Sequence, residues 1–210
     1  SSYEFKDLYV DGTAYVDAIN FNGTAISASA AELNLLDGAS SLATAVNGLS
    51  DALVENNSIW VGNDPASTTS TASYNVALGT TALDAITTGD YNVAVGYNAL
   101  ERNTTGSNNT ASGNGSLRYN TTGLRNTAYG NYALERNNEG GYNTASGAYS
   151  MQYNTTGDGN TASGIYSLLK NTEGDKNTAS GFQSLRHNTT GSYNTASGYN
   201  SLYDNTTGDY

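Results

Sequence analysis

The residues of this 210-residue chain that could do chemistry are few and widely separated. Asp158, Asp175 and Asp209 recur after a glycine, and carboxylates from successive turns could share a Ca²⁺ ion. The glycine-rich nonapeptide of calcium-binding solenoids is absent, and aspartate after glycine commonly caps a turn, so we expect turn capping instead. His187, the one histidine, is expected at the surface. The sequence therefore predicts no metal site.

Motifs for cofactor binding or catalysis are equally weak. Gly157, Gly159 and Ala162 spell GxGxxA, but no strand–helix–strand unit surrounds them, so the pattern does not indicate a dinucleotide site. Paired carboxylates do not recur at a spacing suited to glycoside hydrolysis. We therefore expect no cofactor, no catalytic residue and no enzymatic activity.

Charge and composition exclude several classes of partner. The chain has 8 Lys and Arg against 19 Asp and Glu, a net charge of −11, which gives no electrostatic footprint for nucleic acid or anionic lipid. No apolar run approaches the ~20 residues needed to span a bilayer, so no membrane insertion is expected. There is no cysteine, which removes disulfides and thiolate metal sites.

A repeat of 17 residues dominates the chain from residue 70 onward. Eight ungapped units cover 70–205, and 206–210 begins a ninth. Their consensus is TTGxxNTASGxxSLxxN, with constant Asn at position six, Ala at eight and Gly at ten, and Leu or Met at fourteen. A short strand, a second short segment and turns rich in Asn, Thr and Gly suit one coil of a β-solenoid.

The constant positions predict the interior of that solenoid. We expect the position-six asparagines to stack into a ladder, on a different strand face from the alanines, and the Ala and Leu columns to fill the lumen. The predicted ladder is Asn75, Asn92, Asn109, Asn126, Asn143, Asn160, Asn177 and Asn194. The predicted lumen is Ala77, Ala94, Ala111, Ala128, Leu83, Leu100, Leu117, Leu134, Leu168, Leu185 and Leu202.

The N-terminal part predicts other elements. Residues 1–28 are predicted to form a short β-strand segment, because the sequence alternates from Asp7 to Ile26 and contains Asp-Gly and Asn-Gly pairs typical of tight turns. Residues 29–55 carry a heptad seam and are expected to form a helical coiled-coil neck, or alternatively a helix capping the solenoid, with 56–69 as a junction. The predicted neck contacts are Leu35, Leu42, Val46, Leu49 and Leu53.

The thin lumen suggests that a second surface is buried, for which oligomerisation is the obvious source. Five tyrosines at repeat positions eleven and twelve could stack on sugars, but we favour packing between chains. They are Tyr97, Tyr132, Tyr149, Tyr166 and Tyr199. Trp60 is expected to plug the solenoid end.

Two segments resemble known families. The repeat NTASGYNSLYDNTTGDY, with NVAVG at 92–96, resembles the head repeats of YadA-like trimeric autotransporter adhesins, which are usually shorter. The segment AISASAAELNLLDG at 25–38 resembles an element of bacteriophage tail-fibre proteins, in which repeats of this length often follow. The tail-fibre resemblance accounts for both parts and their order, and it implies a parallel homotrimer in the host-facing apparatus of a virion.

The resulting expectation is a non-catalytic shaft segment of an extracellular tail fibre, cut from a longer polypeptide. Its partners would be two further copies of itself, other virion tail proteins, and a host cell-surface receptor, for which a glycan is one candidate, bound through a distal region. The alternatives are a bacterial trimeric adhesin on the outer surface and an ice-binding solenoid, the latter because Thr-Ala-Ser recurs as a regular array of hydroxyls.

Overall fold

A computed structural model describes residues 20–21, 24–25, 52–55, 58–61 and 71–209. The chain divides into two compact units, Ser1–Ser40 and Ser41–Tyr210. In the first unit, β1 (Asn20–Phe21) pairs antiparallel with β2 (Thr24–Ala25), and the Asn-Gly pair at 22–23 separates them in the sequence. The rest of the predicted 1–28 β segment lies outside the described residues.

The second unit is built on one ten-stranded sheet whose strands follow chain order. It opens with an antiparallel pair, β3 (Ala52–Glu55) and β4 (Ser58–Val61), and every later strand pairs in parallel with the one before it. The later strands are β5 (Val76–Leu78), β6 (Val93–Val95), β7 (Thr110–Ser112), β8 (Thr127–Tyr129), β9 (Thr144–Ser146), β10 (Thr161–Ser163), β11 (Thr178–Ser180) and β12 (Thr195–Ser197).

Successive parallel strands pair residues that lie 17 apart, such as Thr144 with Thr161 and Ala145 with Ala162. The predicted β-solenoid of 17-residue coils is therefore confirmed. At the ~4.8 Å spacing of neighbouring strands, the eight coils that carry β5 to β12 rise about 38 Å.

The part of each coil that follows the strand turns sharply and is also tied to the next coil. The leucine or methionine at position fourteen adopts a left-handed backbone conformation with φ between 48° and 55° in every unit. Bulky residues disfavour this region by about 1–2 kcal/mol. Backbone hydrogen bonds such as Leu134 N–H to Ser150 C=O and Arg136 N–H to Gln152 C=O, both 3.0 Å, hold the conformation in place.

The core is a set of columns running along the solenoid axis. The position-eight alanines and position-fourteen leucines are buried, as is Met151. Leu202 departs from its predicted place in the lumen, because 48% of it is exposed. The described residues contain no following coil that could cover it.

The prediction that the asparagines and alanines occupy different strand faces is wrong. Asn143 and Ala145 are both fully buried, while Thr144 between them is exposed. Side chains alternate along a strand, so residues two apart share a face. The ladder and the alanine column therefore fill the same lumen.

The predicted helix over 29–55 is wrong at its C-terminal end. Ala52–Glu55 is a strand, and Leu53 pairs in register with Trp60. The apolar spacing that predicts a heptad runs here into a short apolar segment, and its partner strand Ser58–Val61 begins only three residues after Glu55, as in a hairpin. The junction at 56–69 contributes Ser58–Val61 to the sheet. Leu35, Leu42, Val46 and Leu49 lie outside the described residues.

The described ranges contain no helix long and apolar enough to cross a membrane.

Candidate functional site

The first asparagine ladder runs along position six. From Asn75 to Asn177, each side-chain oxygen accepts the backbone N–H of the asparagine in the next coil; for example, Asn143 Oδ1 accepts from Asn160 N–H at 2.9 Å. Each side-chain amide donates to the glycine carbonyl that lies 14 residues ahead, as Asn143 Nδ2 does to Gly157 at 2.7 Å. The ladder therefore satisfies buried backbone groups as well as side chains.

A second ladder runs along position seventeen and was not predicted. Asn137 Nδ2 donates to Asn120 Oδ1 of the previous coil at 2.8 Å, and Asn154 Nδ2 donates to Asn137 Oδ1 at 2.7 Å. The seven members are Asn103, Asn120, Asn137, Asn154, Asn171, Asn188 and Asn205. Its signal was present in the sequence, since the last consensus residue is asparagine in each of these units.

The two ladders meet at the glycine carbonyl of position three. Gly140 C=O accepts from Asn126 Nδ2 and from Asn137 Nδ2, both at 2.8 Å. A carbonyl oxygen has two lone pairs, so this arrangement uses its full capacity. Polar groups in the lumen thus bind one coil to the next through direct hydrogen bonds.

The N-terminal end of the solenoid is closed by residues that break the repeat pattern. Ser58 and Trp60 lie 17 residues before Asn75 and Ala77, and Ser58 Oγ accepts Asn75 N–H at 2.8 Å. Trp60 is fully buried in the alanine column. Ile86 occupies the position-seventeen column of the first unit and is also buried. This apolar end accords with the expectation that Trp60 plugs the solenoid.

The Trp60 side chain yields a testable prediction. Its Nε1 is buried without a hydrogen-bond partner in the described part of the chain. Trp60→Phe should lower the free energy of unfolding by about 1 kcal/mol or less, because the lost apolar area is offset by removal of an unsatisfied donor. Chemical denaturation followed by circular dichroism measures the change. A loss comparable to that of Trp60→Ala would contradict the assignment of an unpartnered indole.

The turn carboxylates act within the coil stack. Asp158 Oδ1 accepts Gly141 N–H at 2.6 Å, Asp175 Oδ1 accepts Asp158 N–H at 2.7 Å, and Asp209 Oδ1 accepts Ser192 N–H at 2.7 Å. Each carboxylate therefore binds the backbone of the preceding coil. Among the residues described, no group of three or more His, Asp or Glu side chains could hold a metal ion.

Aromatic rings stack along the side of the solenoid. The ring centroids of Tyr132 and Tyr149 are 5.5 Å apart, and those of Tyr149 and Tyr166 are 5.3 Å apart. Phe182 and Tyr199 stack one position earlier in the repeat, at 5.5 Å. Successive coils thus bring the predicted tyrosines Tyr132, Tyr149 and Tyr166 into one half-exposed column, while Tyr97 and Tyr199 are exposed one position away.

The outer face of the sheet changes character along the axis. Near its start, Ile59, Val76, Leu78, Val93 and Val95 expose between 36% and 49% of their surface on three adjacent strands. From β9 onward the same positions carry threonine and serine, exposed and in register. One face therefore offers an apolar patch followed by an array of hydroxyl groups.

Two basic side chains contact acidic side chains of a neighbouring coil. Arg118 Nε contacts Glu101 Oε2 at 2.5 Å, and this hydrogen bond raises the pKa of Arg118 above its ordinary value. His187 Nδ1 lies 3.1 Å from Asp204 Oδ1 and is half-buried rather than fully exposed. These two side-chain contacts join residues 17 apart and so tie neighbouring coils together.

Comparisons with known proteins found no matching family model, curated protein or solved structure.

Proposed function

We propose that the chain is a non-catalytic structural segment of a bacteriophage tail-fibre shaft, assembled as a parallel homotrimer. It would lie outside the host cell as part of the virion, joined to other tail proteins, and would position a distal region that binds the host receptor. The phage assignment is supported by the resemblance of residues 25–38 to tail-fibre sequences.

The observation that carries the proposal is the unbroken stack of coils. Every coil from the first repeat to the last pairs with the next in one register, and two buried amide ladders run parallel to the axis. Such a stack resists bending because any change of angle between coils would break several buried hydrogen bonds together. A rod of fixed length is what a spacer between two binding regions requires.

Association of chains is supported by the exposed apolar patch. Five aliphatic side chains on β4, β5 and β6 face outward, although later coils place threonine and serine at the same positions. Clustered apolar residues on an otherwise polar surface are typical of contacts between proteins. The patch therefore favours assembly through this end of the sheet.

Light scattering coupled to gel filtration tests the assembly. A trimer would have a mass near three times 21.8 kDa. A mass of one chain across a range of protein concentrations would overturn the trimeric shaft.

A matched variant shows which surface holds the chains together. Val76→Thr, Leu78→Ser, Val93→Thr and Val95→Ser give the first two coils the residues that later coils already have. The coils should still form, since the same residues occupy these positions in β9 to β12. If the patch is buried in the trimer, the variant should dissociate at concentrations at which the parent chain does not.

Ice binding is a second candidate, favoured by the hydroxyl array. Threonine and serine columns on β9 to β12 are exposed and in register, so their hydroxyl groups repeat at the ~4.8 Å strand spacing. A thermal-hysteresis assay on the chain distinguishes this candidate. Freezing-point depression without trimer formation would favour it over the shaft.

A further inference from the structure

A line of alternating basic and aromatic residues follows one edge of the solenoid, at repeat position sixteen. We name it the edge stripe: Arg102, Tyr119, Arg136, Tyr153 and Lys170, one residue from each of five successive coils. The next two residues in this column, His187 and Asp204, contact each other, which ends the stripe. The stripe concentrates three of the chain's 8 basic residues on a molecule whose net charge is −11.

The basic groups of the edge stripe are exposed and uncommitted. Within the described part of the chain, Arg102, Arg136 and Lys170 form no ion pair and no side-chain hydrogen bond, whereas Arg118 is paired with Glu101. Arg102 and Arg136 pack instead on the rings of Tyr119 and Tyr153, at 4.9 and 5.0 Å from the ring centroids. These contacts orient the guanidinium groups and leave their donors free for an anion.

Two clefts open along the same edge. One, of about 430 Å³, is lined by Tyr119, Arg136 and Thr155. The other, of about 250 Å³, is lined by Tyr153, Lys170, Thr172 and Thr189. Each cleft is lined by an aromatic residue, one basic residue and threonine. The hydroxyls of Thr155, Thr172 and Thr189 donate to backbone carbonyls of the next coil, so the threonines contribute mainly their methyl groups. An apolar surface beside a cation suits the apolar face of a sugar ring that carries a negative group.

The spacing of the charges limits the ligand. The cations lie two coils apart, which is about 9.6 Å at the usual strand separation and close to the length of a disaccharide. We propose that the edge stripe binds a linear acidic polysaccharide with one carboxylate or sulfate per disaccharide, extended along the solenoid axis. This site lies on the solenoid itself, and the inference does not depend on the shaft assignment.

Single-stranded nucleic acid fits the stripe less well. It carries one phosphate per nucleotide, and its affinity depends on neutralising many closely spaced charges. The stripe offers one cation for every two coils, and exposed carboxylates such as Glu139 and Glu173 lie nearby in the sequence. A polymer with fewer negative charges would still be attracted to the cations of the edge stripe, and it would be repelled less by the acidic remainder of the surface.

The test measures binding of a fluorescently labelled hyaluronan oligosaccharide to the full chain by anisotropy, at low and at physiological salt. Hyaluronan supplies one carboxylate per disaccharide, dextran is the neutral comparison, and an oligo(dT) strand is the nucleic-acid comparison. Hyaluronan should bind, more weakly as salt rises, and more tightly than either comparison polymer. Failure of hyaluronan to bind, or tighter binding of oligo(dT), would overturn the proposal.

Two triple variants of identical chemistry locate the site. Arg136→Gln, Tyr153→Ala and Lys170→Gln alter the stripe, while Arg125→Gln, Tyr142→Ala and Lys176→Gln make the same changes at another edge, where Arg125 and Lys176 donate to the hydroxyls of Tyr142 and Tyr193. The stripe variant should weaken hyaluronan binding about tenfold, and the control less than about twofold. Equal losses would contradict the proposal. Circular dichroism and light scattering separate this result from a change in folding or assembly.

Discussion

Gly164→Ala should lower the free energy of unfolding by about 3–5 kcal/mol, because the added methyl group both strains the backbone and clashes with the next coil. Gly164 has a φ of +133°, a conformation that residues with a Cβ rarely adopt. An added Cβ would lie 2.5 Å from the Gly181 carbonyl oxygen and 2.7 Å from its carbon. Since that oxygen belongs to the next coil, the clash can be relieved only by separating the coils. Chemical denaturation followed by circular dichroism measures the loss.

A neighbouring glycine of the same coil is the control. Gly159 has a φ of +67°, and an added Cβ would meet only Lys176 Cγ, at 3.5 Å. Asn108 holds the equivalent position of an earlier coil with a φ of 62°. Gly159→Asn should therefore change stability by no more than about 1 kcal/mol. Comparable stability losses for the two variants would show that the clash with the next coil is not what destabilises Gly164→Ala.

Asn143→Ala should cost about 2–4 kcal/mol, because it leaves a buried backbone donor without an acceptor. Asn143 Oδ1 accepts Asn160 N–H at 2.9 Å, and no water can reach that group in the lumen. Gly157 C=O retains a bond from Asn154 Nδ2 at 2.9 Å, so the damage centres on the Asn160 amide. Hydrogen exchange at Asn160 should accelerate more than exchange in distant coils.

The second ladder gives a graded comparison. Asn137 binds the side chains of Asn120 and Asn154 and the Gly140 carbonyl, but it accepts no backbone N–H. Asn137→Ala should therefore destabilise less than Asn143→Ala, and Asn114→Ala, at an exposed position, should have an effect near zero. A larger loss of stability for Asn137→Ala than for Asn143→Ala would contradict the idea that the first ladder stabilises the coils mainly by accepting buried backbone N–H groups.

Much of the fold could be predicted because the repeat has a fixed length and no gaps. The Asn, Ala and Leu or Met positions that recur every 17 residues define one coil. Because every coil has the same length, each residue is expected to lie beside the residue 17 positions later, so the contacts between coils follow from the repeat itself. The assignment of faces failed for a simple reason. Asn143 immediately precedes β9 and lies two residues before Ala145, so both side chains point to the buried face.

The remaining differences arise where strand alternation gives no guidance. Asn137 lies three residues after Leu134, whose left-handed φ of 52° turns the backbone. The two-residue alternation of a strand therefore does not apply there, and it cannot predict which way the Asn137 side chain points. The second ladder was therefore missed although its asparagine was visible in the consensus. Leu53 was placed in a helix because its spacing from earlier leucines matches a heptad, but pairing with β4 at Trp60 determines its conformation.

The edge stripe was missed because it belongs to variable positions of the repeat. Tyr119, Arg136, Tyr153 and Lys170 differ from one another, so a consensus discards them. Only the stack shows that one residue per coil forms a continuous line. In a repeat protein the constant positions specify the architecture, and the variable positions can form a surface of their own.

The common register of the coils has a consequence for how the protein can evolve. From the second coil onward, each described coil meets the next through the same strand pairing and the same two ladder steps. A recombination event that duplicates or deletes one 17-residue unit therefore joins surfaces that already match. Length can change in increments of about 4.8 Å, while an insertion of any other size would bring polar turn residues into the lumen. The reach of the molecule is thus a heritable trait that can be adjusted in discrete steps.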